Sequence, residues 1–225
     1  PTNSKTEVLP VNSSVETTPL PTTEVSSETD KLERSSAQFL RRIATNHPNA
    51  FLTSKHQEIV KNKINQFKGS SALAENFSAV KRNASQIEAL AKSKNLKPQF
   101  LAAAALGRIG NQRGDPTATA QSMAETLDNL TVVFGNELAD DTLLVIAFYE
   151  HGVAGRTLAA RDMVAGLTRQ FPNVSSRQIR TIWFLKESGK ISDAEFEQAL
   201  RFLAIGTIMQ NPKDFGVNAE AINFQ

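Results

Sequence analysis

From Asp30 onward, apolar residues recur at steps of three and four, the period of helices that bury one face. Leu32, Phe39, Leu40 and Ile43 share such a face, and Asn46-His47-Pro48-Asn49 ends the run. A second helix is predicted over about 54–67, striped by Val60, Ile64 and Phe67 and closed by Gly69. The third, about 71–92, places Leu73, Phe77, Val80, Ala84, Ile87 and Leu90 on one side, and Lys94-Asn95 ends it. Leu96-Lys97-Pro98 opens a fourth helix with proline in the first turn, where its missing N–H costs nothing. Its stretch FLAAAALGRI carries side chains small enough for neighbouring helices to approach closely, which predicts the central packing element. Asp115 caps a fifth helix that runs to Phe134 and Gly135. The sixth starts at Asp140 or Asp141, carries the unbroken apolar run Leu143 to Phe148, and ends at Gly152. A seventh covers about 156–170 and stops at Phe171-Pro172. Ser175 or Ser176 caps the eighth, with Ile179, Ile182, Trp183 and Leu185 as its stripe and Gly189 as its end. Ser192-Asp193-Ala194-Glu195 is a capping box that starts the ninth, with Phe196, Leu200, Leu203 and Ile208 inward and Asn211-Pro212 as its stop.

Nothing alternates with period two over a length that makes a sheet, and only 110–116 leaves room for a short hairpin. No repeat recurs, which disfavours a solenoid. The predicted fold class is therefore all-α, a compact multi-helix bundle over residues 31–212. The flanks differ in character. Residues 1–30 hold four prolines among many Ser and Thr and no aromatic residue, so they bury too little apolar surface to offset ordering and read as a disordered linker. Residues 213–225 read as a short tail draped over the surface.

The charge balance, 25 basic against 23 acidic residues mixed along the chain, argues against a polyanion-binding surface. Basic residues lie on outer helix faces without interleaved aromatics, so nucleic acid is not an expected partner. The absence of cysteine excludes disulfides, thiolate metal sites and cysteine nucleophiles, and favours an exported bacterial protein, periplasmic or extracellular. No membrane-spanning run or signal peptide is present, so a membrane association would run through an anchor upstream of Pro1.

No phosphate-binding, nucleotide-binding, zinc-protease, nucleophile-elbow or calcium-loop pattern occurs, and no cofactor is implied. Three histidines, His47, His56 and His151, are too dispersed to suggest a metal site, and His47 and His56 read as plain surface residues. Among the acids, Glu137, Asp140 and Asp141 surround a helix start, where the macrodipole favours carboxylates, and Glu125 stands mid-helix. A fifth candidate acid, Glu150, is flanked by Tyr149 and His151 at the end of a buried helix, where low dielectric can shift pKa values. Glu150 is the candidate catalytic residue, and Tyr149, Glu150, His151, Arg108 and Arg113 are the candidate ligand-binding residues, the two arginines as pairing partners for Glu150.

Residues 96–155 resemble the lysozyme-like group that includes the soluble lytic transglycosylases and goose-type lysozymes. The likeness rests on Leu96-Lys97-Pro98-Gln99-Phe100-Leu101 at the start of one helix, on Phe134-Gly135, and on Tyr149 and Gly152 in Ala147-Phe148-Tyr149-Glu150-His151-Gly152. The resemblance implies a lysozyme-like helical domain and peptidoglycan as its substrate class. Gly110-Asn111 stands where that family carries its catalytic Glu-Ser, and the family's Gly-Leu-Met-Gln stretch is missing. A domain without that general acid lacks an evident proton donor for the glycosidic oxygen. Three readings follow: a non-catalytic envelope module that binds cell-wall glycan or an envelope protein, a peptidoglycan glycosidase with a rearranged site at Glu150, and a helical structural or signalling domain without a ligand.

Overall fold

Ser27 opens the described chain as a helix cap: its hydroxyl accepts from Asp30 N–H, and the Asp30 carboxylate accepts from Ser27 N–H. The computed structural model describes residues 27–224, so residues 1–26 of the linker expected over 1–30 lie outside the described residues. Residues 28–30, expected in that linker, form the first turn of α1 (Glu28–Ile43). The described residues form twelve α-helices, α1 included, and one 3-10 turn with no strand, so the fold is all-α and 110–115 is a loop leading into the helix that starts at Pro116. Buried Asn76 holds that loop, its amide donating to Gln112 O and its carbonyl accepting from Gly114 N–H.

The alanine-rich segment is the centre of the packing. In α5 (Pro98–Ile109) every side chain from Leu101 to Leu106 is buried, and the helix lies against α12 (Asp193–Gln210). Two glycines set how closely α12 meets its neighbours α5 and α1. A methyl at Gly107 would stand 3.3 Å from the Phe202 backbone, and one at Gly206 would stand 2.0 Å from the Phe39 ring of α1. Phe39 in turn meets Phe202, and Phe202 meets Phe100, at centroid distances of 5.2 and 5.6 Å. Around this core stand α2 (Ser54–Asn65), α6 (Pro116–Phe134) and α7 (Ala139–Ala147).

Three expected helices are broken, each where packing asks for a change of direction. The third divides into α3 (Ser71–Arg82) and α4 (Ala84–Ser93) at Asn83, a residue whose side chain gives little support to a helix interior. The sixth divides at Phe148 into α7 and α8 (Tyr149–Val153). There the Phe148 ring stacks on Phe134 at 5.2 Å, and Gly152 brings α8 down onto Thr126 and Leu130 of α6. After α9 (Thr157–Gln170), the eighth divides into α10 (Ser176–Ile179) and α11 (Ile182–Glu187), capped separately by the Ser175 and Thr181 hydroxyls. The tail is also corrected. Pro212–Phe215 forms the 3-10 turn, and Val217, Ala219 and Ile222 are buried rather than draped. Backbone bonds from Gly69 N–H to Gly216 O and from Ile222 N–H to Met209 O fix this segment, whose apolar residues are too few for a periodic signal.

Candidate functional site

Tyr149, Glu150 and His151 occupy one short helix but face three environments. Tyr149 is buried, with the Arg108 guanidinium carbon 5.6 Å from its ring centroid. Burial raises the Tyr149 pKa, with Arg108 acting against the shift and Glu150 with it. Glu150 is exposed and pairs with Arg108 at 2.5 Å. His151 turns the other way and meets Glu195 Oε1 through Nε2 at 2.7 Å, while its Nδ1 is buried without a partner. Arg113 does not join them and forms a two-nitrogen pair with Glu75 on α3. Of the two arginines expected beside Glu150, one is there; the other is held by the loop geometry around Asn76. Glu125 is exposed and pairs with Lys94.

Ser192, Glu195 and His151 form a chain of polar contacts whose order decides its chemistry. Ser192 donates its hydroxyl and its N–H to Glu195 Oε2, and His151 meets the other carboxylate oxygen. Burial pushes the Glu195 carboxyl up, and the bonds from Ser192 and His151 outweigh it and hold the pKa below its ordinary value. In a hydrolytic triad the imidazole stands between serine and acid so that it can take the hydroxyl proton. Here the carboxylate stands between them, which makes a helix cap tied to α8.

A different place combines a cleft with a perturbed acid. The loop between α1 and α2 bonds to the α6–α7 connection through Thr45 N–H to Asn136 O and Asn46 N–H to Glu137 O. Arg41 Nε donates to Ala50 O, Gln57 donates to Leu52 O, and the Thr53 hydroxyl caps α2. Held this way, the loop projects Phe51, 65% exposed, over a cleft of about 190 Å³. Its walls include Leu40, Leu52, Leu143 and Trp183, and its polar groups are His47, His56, Thr53, Thr181 and Asp140. A second hollow of about 140 Å³ adjoins it across His56 and Trp183, whose rings stack at 4.0 Å with 8° between planes.

Asp140 is the second residue of α7, where an ionised carboxylate would ordinarily be favoured. Burial prevails, pushing its pKa up to about 6, with Arg177 pulling it down and Asp141 pushing it further up. No hydrogen bond or close ion pair engages this carboxyl among the described residues. Its neighbour Asp141 is used structurally: Arg180 donates to it at 2.7 Å and also to Phe134 O at 2.6 Å, which locks the end of α6 to the start of α7. Both cleft histidines are less basic than usual. Burial lowers His47, with Arg177 adding to and Asp141 opposing the shift. For His56, burial again leads, with Lys55 adding and Glu187 opposing. His47 Nδ1 accepts from Ala139 N–H at 3.2 Å while Arg177 approaches Nε2 at 2.7 Å. With donors facing both ring nitrogens, a cationic ring would meet both with N–H groups and a neutral ring only one, which disfavours protonation of His47.

From the sequence, His47 and His56 are expected on the plain surface and Asp140 at a helix start. The first assignment is corrected and the second is incomplete, because all three share this cleft. One signal was present: two adjacent acids at a helix start exceed what capping uses, and Phe51 stands in a polar loop. Among the described residues, no three His, Cys, Asp or Glu side chains come together in a way that could hold a metal ion. No helix among them is long and apolar enough to cross a membrane. No protein-family model, curated protein or solved structure matches this chain, so the site stands on its own geometry.

Proposed function

We propose that the chain is a non-catalytic helical binding module of the cell envelope, engaging cell-wall glycan or an envelope protein through the cleft beneath Phe51. One observation carries this reading: a largely buried carboxyl without a bonding partner is kept in an apolar cleft with an exposed aromatic ring at its mouth. Burying such a group costs folding free energy, and sites of that kind concentrate where a ligand supplies the missing partner. The envelope setting is supported by the Ser/Thr/Pro-rich composition of residues 1–30 and the lack of cysteine. The non-catalytic part is supported by the carboxylate count. Glycoside hydrolysis uses two carboxyl groups flanking the bond, and Asp140 is the single acid lining the cleft.

Asp140 also favours a second reading, a glycosidase with a rearranged site, since a carboxyl titrating at about 6 suits a general acid. In that reading Asp140 takes the role first given to Glu150. Co-sedimentation with purified sacculi and release of soluble muropeptides separate these readings. The binding module sediments or associates with envelope protein without releasing product, and Phe51→Ala weakens the association. Product release by the wild type that disappears in Asp140→Asn would install the glycosidase. Binding unchanged in both variants would remove the cleft from the function and leave a bundle used for structure alone.

A further inference from the structure

The cleft's charges specify an occupant more narrowly than its shape does. His47 and His56 share the cleft with Asp140, burial lowers the pKa of both, and Asp141 on the same helix is engaged by Arg180. The remaining charged group near Asp140 is Arg177, which is exposed and directed at His47, so solvent and salt screen it. Asp140 is therefore an acceptor without a bonded partner in a cleft whose walls include Leu40, Leu52, Leu143 and Trp183. A ligand that relieves it must bring a positive charge on an apolar stem. We propose that the cleft receives a lysine side chain presented by a partner polypeptide, its methylenes against the apolar walls and Phe51, its ammonium on the Asp140 carboxylate.

A guanidinium fits less well. It carries five N–H donors, and beyond one carboxylate the cleft offers few acceptors, so most would be buried unpaired. An amino sugar presents hydroxyls around its amine and meets the same difficulty against apolar walls. The volume, about 190 Å³, accommodates one such stem. Phe51 adds a ring face at the mouth, where a cation on its way in is attracted to the π-system.

This inference rests on the cleft being the binding surface. Its test can fail while that reading stands, because it probes the occupant and leaves the envelope association to the sacculus assay. Trp183 is the sole tryptophan and lines the cleft, so its emission reports occupancy of the full chain directly. The probes are the acetylated tripeptide amide Gly-Lys-Gly, its norleucine and arginine counterparts, and glucosamine. The lysine peptide is expected to saturate the signal, with norleucine weaker by about tenfold or more, the worth of one charge-assisted bond. Asp140→Asn keeps the shape and should lose a similar factor, with its melting curve confirming the fold. Binding should also weaken as pH falls through about 6 and the carboxyl takes a proton. Equal affinity for norleucine, tighter binding of arginine or glucosamine, unchanged affinity in Asp140→Asn, or no saturation by any probe would each overturn the proposal.

Discussion

Substituting Gly206 by alanine tests whether the core is built around one missing methyl. In an ordinary helix the change should stabilise by about 1 kcal/mol, since glycine gives up more backbone freedom on folding. At Gly206 the new Cβ would lie 2.0 Å from Phe39 Cζ, and Phe39 is fully buried. Carbon atoms pack at about 3.5–4 Å, so the ring must move by roughly 1.5 Å or more. It has little room, because Phe202 lies 5.2 Å away on its own helix-packed face. Overpacking of this kind costs about 1–3 kcal/mol and at times more, against which the propensity gain is small. We expect Gly206→Ala to lose about 2 kcal/mol, read as a lower urea midpoint at unchanged slope. Two controls sharpen the test. Gly166 is also helical, with nothing within 4 Å of its added Cβ, so Gly166→Ala should raise the midpoint. Pairing Gly206→Ala with Phe39→Leu should cost less than the sum of the single changes, since one fills space the other vacates. A Gly206→Ala protein as stable as Gly166→Ala would refute this account of the packing.

Asp140 gives a pH test. Its folded pKa lies above its unfolded value, so the native state holds the proton more tightly and stability falls as pH rises from about 4 to about 6. Asp140→Asn should remove that decline and leave the protein more stable at pH 7 by up to about 3 kcal/mol, measured by denaturation across pH. Trp183→Ala should cost about 3–5 kcal/mol, and the native emission of Trp183, 8% exposed, should be blue-shifted. Ser192→Ala removes the cap of α12 and one bond to Glu195, and should lower stability by about 1 kcal/mol on chemical denaturation. Arg180→Ala leaves Asp141 buried without its cation and should cost about 1.5–3 kcal/mol, a loss that Asp141→Asn in the same chain should partly restore.

Much of the architecture was legible because it is written in local signals. Helix starts at Ser27 apart, the caps at Asp115 and Ser192 and the prolines at 98 and 116 stand where the sequence placed them, since a cap is made by residues three apart. The alanine-rich α5 was recognisable as central because small side chains carry no other explanation. Tertiary structure alone decided the rest. The breaks at Asn83, Phe148 and Arg180-Thr181 come from neighbours that turn the chain, and the tail is buried by partners at Met209 and Gly69. Gly206 reads as a weak point in a helix until Phe39, far away in the chain, is found upon it. The candidate site followed the same division. Tyr149, Glu150 and His151 are adjacent in sequence and so read as one group, but successive residues of a helix point about 100° apart. The cleft joins Phe51, His47 and His56 to Asp140 and Trp183, residues with ordinary local readings. Desolvation is a property of everything packed around a group, so the perturbed acid became visible only when the elements of the cleft were in place.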